Sequence, residues 1–133
     1  MLARRAYANV AVATLLAVAA LFMPLDARAC EVDVGQRIVL ASMSPDPDVF
    51  VWDNRYMLVN YAAGIFDDAK SVMAHTTLAK PGTRAVVVSC VTGAVKPKYV
   101  VAAYDAVGIR LTSGPYRGRW GWVASEDTHP IRR

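Results

Sequence analysis

Residues 80–124 read KPGTRAVVVSCVTGAVKPKYVVAAYDAVGIRLTSGPYRGRWGWVA, and this stretch decides the fold. Runs of β-branched and aromatic residues alternate with breakers at Pro81-Gly82, Gly93, Pro97, Gly108, Gly114-Pro115 and Gly118. Glycine supplies positive φ and proline holds φ at about −65°, so this spacing suits short strands joined by turns and leaves little room for long helices. Val107, Ile109 and Leu111 fall on one side of a strand, with Gly108, Arg110 and Thr112 on the other, the alternation of a half-buried strand. In 83–91, Val86, Val88 and Cys90 share a face, which directs the Cys90 sulfur inward. Trp120 and Trp122 likewise share a face, with Gly121 and Val123 opposite.

Outward from this stretch, β-rich segments are expected at 37–40, 49–52, 56–61, 99–104, 108–112 and 121–124. Only 67–78 has a helical pattern: Asp67 or Asp68 can cap it, and Ala69, Val72, Met73 and Leu78 can form an apolar stripe. His75-Thr76-Thr77 is a poor helical run, so a short helix and an irregular strand are both open there. Heptads, repeats and low-complexity tracts are absent from the sequence.

The amino terminus has a different character. Arg4 and Arg5 precede an apolar run over 10–23, and Ala27 and Ala29 flank Arg28 just before Cys30. That is the three-part pattern of a secretory signal peptide over 1–29. The run is shorter than the roughly 20 apolar residues that cross a bilayer, so no transmembrane segment is expected in 30–133. The expected product is one small β domain over 30–133, periplasmic or secreted. The leader also inflates the hydrophobic share of 55% in the 133-residue chain. Its removal takes Arg4, Arg5 and Arg28 against Asp26, so the formal net charge of +4 falls by two. So balanced a domain argues against nucleic acid as partner, because that binding needs several phosphates neutralised at once. An oxidising compartment would let Cys30 and Cys90 close a loop of about 60 residues, stabilising by about 4 kcal/mol on chain-entropy grounds. Two free thiols, or lipidation of Cys30 as the first residue after cleavage, are the other fates of the pair.

The order PGTRAVVVSC, KYVVAAY, VGIRLTSG, YRGRWGWV over about 80–127 resembles the bacterial Src-homology-3-like domains of exported proteins. Gly82, 99–104, 107–111 and Gly121-Trp122-Val123 occupy the places of that pattern. The resemblance implies a small, strongly bent, five-stranded antiparallel barrel that binds peptide or cell-wall glycopeptide through aromatics on one side. Residues 31–80 are long for the leading strand and its loop, so an extra amino-terminal β segment is expected, with at most one short helix in the whole domain.

Chemistry-bearing residues are sparse. The histidines are His75 and His129, and no HExxH, nucleophile elbow, Walker loop or dinucleotide-binding glycine pattern occurs. Metal binding lacks convergent ligands, and nothing in the sequence calls for a cofactor. Ser71 and His75 would meet on one helical face, but no oxyanion site or orienting group is evident. The doublets Asp67-Asp68 and Glu126-Asp127, with Asp46 and Asp48, sit among turn residues where aspartate is locally favoured. Aromatics make the better case. If Val123 is a core residue, Trp120 and Trp122 face outward, and Arg117 and Arg119 can bind a carboxylate or stack; in the reverse register both indoles are core. Tyr104 and Tyr116 are weaker candidates for the same surface. The expected function is a non-catalytic binding module of the cell envelope, recognising a peptide, glycopeptide or partner protein. A structural subunit of an envelope or secretion assembly is the alternative.

Overall fold

A computed structural model describes residues 29–131. The signal-peptide reading lies outside the described residues, except for Ala29. In chain order the elements are β1 (Arg37–Leu40), β2 (Val49–Trp52), α1 (Arg55–Ala62), α2 (Ala69–Ala74), β3 (Thr76–Ala79), β4 (Arg84–Val95), β5 (Tyr104–Leu111), β6 (Trp120–Ala124), a 3-10 turn (Ser125–Asp127) and β7 (Thr128–Pro130). The seven strands form one sheet in the order β3-β2-β6-β5-β4-β1-β7, with every neighbouring pair antiparallel.

The sheet curls. Ile38 and Leu40 of β1 share one buried cluster with Val49 and Val51 of β2 and Ala79 of β3, although those strands stand at opposite ends of the order. Val32 of the amino-terminal segment, Ala85, Val87, Val107, Ile109, Leu111 and Val123 complete this inner core. A flat seven-stranded sheet would hold β1 and β2 four spacings apart, about 19 Å, too far for shared side-chain contact. The result is a curled half-barrel with a filled interior. A second core lies on the outer face, where Trp52, Leu58, Val72, Val95, Ala106 and Ala124 are buried between the sheet and the helices. β5 therefore carries apolar residues on both sides: Val107, Ile109 and Leu111 inward, Ala106 outward, all 0% exposed.

Three expectations change. Residues 56–61 are helical, because Met57, Leu58, Tyr61 and Ala62 form a three-and-four stripe on the outer core. Asn54 Oδ1 caps that helix by accepting from the Tyr56 amide at 2.8 Å, and Gly64 at φ 77° ends it with its amide donating to the Tyr61 carbonyl. The fold thus has two short helices rather than at most one. Residues 67–78 resolve into both alternatives in turn: Asp68 caps α2 through the Ser71 amide, and the β-branched Thr76-Thr77 then opens β3. The strand expected over 99–104 begins only at Tyr104, where β5 meets Val95, the last residue of β4. Before that point the chain has no strand to pair with, and Tyr99 and Val101 are fully open to solvent.

The orientation of β4 is corrected as well. Ala85 and Val87 face the inner core, while Val86 and Val88 are half-exposed on the outer face. Val87 opposes Ile109 but Ser89 opposes Gly108, so one extra residue stands on β4. This bulge reverses the alternation and puts Cys90 opposite Val107, against the inner core. The sulfur points inward as expected, but with Val87 rather than with Val86 and Val88.

Candidate functional site

Cys30 and Cys90 are joined in a disulfide. Beside it, the buried Asp105 carboxylate accepts from the Glu31 and Gly93 amides, each at 2.9 Å, and the Asp105 amide donates to Ser125 Oγ. The two sulfurs and this carboxylate lie close together. With the sulfurs bonded to each other and both carboxylate oxygens held by amides, the group is a fastening for the amino-terminal segment, with no thiolate to offer a metal. Sequence reading singled out neither Asp105 nor its amide partners, since a lone aspartate in a strand gives no local signal of such contacts.

β6 presents its residues as the Val123-inward register requires. Val123 is 0% exposed, and Trp120 and Trp122 share the outer face. Their surroundings differ sharply. Trp122 lies between Trp52 of β2 and Gly108 of β5, is half-buried against the outer core, and has the Arg55 guanidinium 5.5 Å from its ring. Its ring atoms Cζ3 and Cη2 stand 3.4 Å from where a Gly108 Cβ would be, so the missing side chain leaves room for the indole. Trp120, opposite Arg110, is 60% exposed.

The other candidates are divided. Arg119 donates from Nη1 to Thr77 Oγ1 at 2.7 Å and lies 5.1 Å above the Tyr116 ring, tying the β5–β6 turn to β3. Arg117 is exposed on that turn. Tyr104 is half-buried in the outer core at the far end of β5, six residues from Arg110 and so about 20 Å from Trp120. Trp120, Tyr116, Arg117 and Arg119 are thus gathered at one end of the sheet, with Trp122 beneath α1 and Tyr104 apart.

The face beyond Trp120 was not legible in the sequence. Val86 pairs with Arg37 of β1 on one side and Arg110 of β5 on the other, and Arg84 lies two residues along β4. The three arginines line a groove of about 1110 Å³ together with Gln36, Thr112 and Ser113. Its apolar lining is Val86, Pro130 and Ile131, and among the described residues no carboxylate borders it. Among the described residues, no acidic side chain forms an ion pair with any of the three guanidiniums. Arg110 stood out by alternation alone. Arg37 and Arg84 join it only through strand pairing.

A second hollow, about 440 Å³, lies between α1, the β1–β2 loop and the 3-10 turn. Phe50 and Tyr61 border it together with Asp46, Asp48, Glu126 and Asp127. The Asp127 carboxyl is pushed up to about 6, first by burial and then by the charge of Glu126, against the opposing pull of His129 and the Met43 amide. The 3-10 turn brings both members of the Glu126-Asp127 doublet to the same hollow, which strand geometry would have forbidden.

His75 follows α2 and its Nδ1 donates to Asp53 Oδ2 at 3.0 Å, while the Asp53 amide donates to the His75 carbonyl. Sequence reading missed this orienting carboxylate, 22 residues away. Among the described residues, Ser71 makes no hydrogen bond to the ring; its amide is spent on the Asp68 cap. The pair clasps the end of α2 to the end of β2. No helix among the described residues is long and apolar enough to cross a membrane. Comparison with protein-family models, curated proteins and solved structures finds no match.

Proposed function

We propose that this chain is an exported, non-catalytic binding module of the bacterial cell envelope that takes a peptide, a cell-wall glycopeptide or a segment of a partner protein onto the outer face of its half-barrel. The observation that carries the reading is Trp120, a large apolar side chain 60% exposed on a paired strand and directly opposite Arg110. An indole held open on a rigid scaffold offers contact area at little entropy cost, and tryptophan and arginine are both among the residue types enriched at binding hot spots. The consecutive antiparallel neighbours β4, β5 and β6 support the Src-homology-3-like reading of the same region. The disulfide supports an oxidising compartment.

Retention of the purified protein on isolated cell-wall sacculi, and capture of partners from a periplasmic extract, test this directly. Wild type should be retained on at least one of them. Trp120→Ala should lose that retention by roughly 10-fold or more while its circular dichroism is unchanged. Retention of wild type on neither support, or equal retention of the variant, overturns the proposal.

A further inference from the structure

Resting on the binding-module reading, we infer that the ligand of the outer face is an acidic peptide in extended conformation, seated in the groove of Arg37, Arg84 and Arg110 that continues from Trp120. Charge complementarity carries the choice. Three exposed guanidiniums converge on one concavity with no carboxylate on its border and no ion-pair partner among the described residues. The domain nearly balances its charges, so this local excess of one sign is not a property of the whole surface.

Spacing narrows the ligand. Arg37 and Arg110 flank Val86 from the two neighbouring strands, which places their backbones about 10 Å apart, with Arg84 about 8 Å from each. Carboxylates two residues apart on an extended chain stand about 7 Å apart and alternate with side chains of the opposite face. Each guanidinium presents a planar fork that matches a carboxylate in bidentate fashion. Thr112 and Ser113, at the groove's end, add hydroxyl donors.

The floor separates a peptide from other polyanions. Val86, Pro130 and Ile131 give the groove an apolar bed between the charges. Apolar side chains alternating with Asp or Glu would cover that bed, whereas a phosphate polymer would leave it in contact with polar groups. A bilayer surface is too flat to enter a concavity, and three cations are few for anionic lipid.

Fluorescence anisotropy with a labelled nine-residue peptide of alternating Glu and Val tests this, beside the same peptide with Gln for Glu, sodium polyphosphate, and vesicles of phosphatidylglycerol and phosphatidylcholine. The Glu peptide should bind and the Gln peptide should bind at least 10-fold more weakly. Arg84→Gln and Arg110→Gln should each weaken the Glu peptide by roughly 10-fold, and rising salt should weaken it further. All three side chains are exposed, so the variants should keep the wild-type circular dichroism. Equal binding of the two peptides, tighter Arg84-dependent binding of polyphosphate or vesicles, or sedimentation showing the groove filled by a second copy of this chain each overturn the inference. Retention on sacculi or partner that needs Trp120 but is indifferent to Arg84→Gln and Arg110→Gln overturns it while leaving the binding-module reading standing. Loss of all retention by wild type removes both.

Discussion

Asp127 shows how one carboxyl can tie stability to pH. Its ordinary value of 3.8 rises to about 6 because burial disfavours the charged form and Glu126 repels it. A carboxyl raised in the folded state binds more protons folded than unfolded between those two values. Its contribution is therefore fully present below about 3.8 and is lost as pH climbs through about 6. A shift of that size in a fully buried group would correspond to about 3 kcal/mol, but Asp127 is only half-buried and water screens part of it. Asp127→Asn should accordingly stabilise the protein by about 1–2 kcal/mol at pH 7 and flatten the gain that wild type shows between pH 7 and pH 4. Urea midpoints at both pH values measure it; a variant less stable than wild type at pH 7 would refute the assignment. Sequence identified this residue only as half of an acidic doublet in a turn. Its environment comes from Met43, His129 and the 3-10 geometry, none of which has a one-dimensional signature.

At the scale of elements, the junction of β6 with β2 is the most constrained contact. A Cβ on Gly121 would strike the Val51 side chain and come within 2.9 Å of the Trp52 carbonyl oxygen. The lack of a side chain lets the two strands close over the inner core, with Trp52 opposite Trp122. Gly121→Ala should cost about 1–3 kcal/mol, since a backbone oxygen cannot move aside as a flexible side chain can. The check is a lowered urea midpoint at unchanged slope; an unaltered midpoint would show that β2 and β6 do not pack so closely. The pattern of Gly121-Trp122-Val123 marked a strand, and β1, β2, β6 and the second half of β5 fall where propensity and alternation put them. α1 did not, because Tyr56, Val59 and Tyr61 favour strands by type. Its helix is decided by the Asn54 cap, the Gly64 terminus and the sheet face waiting beneath it. The 99–104 run failed in the opposite sense: apolar and β-branched, it has no neighbour to pair with.

For the molecule as a whole, the disulfide links the first described residues to the middle of the longest strand, 60 positions apart in the sequence. Closing so long a loop restricts the unfolded chain more than the folded one. Reduction, or Cys90→Ala, should lower stability by about 2–4 kcal/mol, read as a shift in urea midpoint between oxidised protein and protein held in dithiothreitol. No shift would refute this account, because the Asp105 contacts with Glu31 and Gly93 exist only in the folded chain and cannot restrain the unfolded one. Local chemistry by itself determined that the chain is mainly β, where most strands run, that Val107, Ile109 and Leu111 share a core-facing side, and which cysteines could pair, while the register of Val123 stayed open. These follow from φ preferences and the two-residue alternation of a strand, which act between near neighbours. Tertiary structure alone decided that Trp122 is sheltered while Trp120 is open, and that Asp53 meets His75. It also brought Arg37, Arg84 and Arg110 from three strands to one groove. Curling and register act between residues far apart in the chain, and their outcome depends on what every other strand has already paired with.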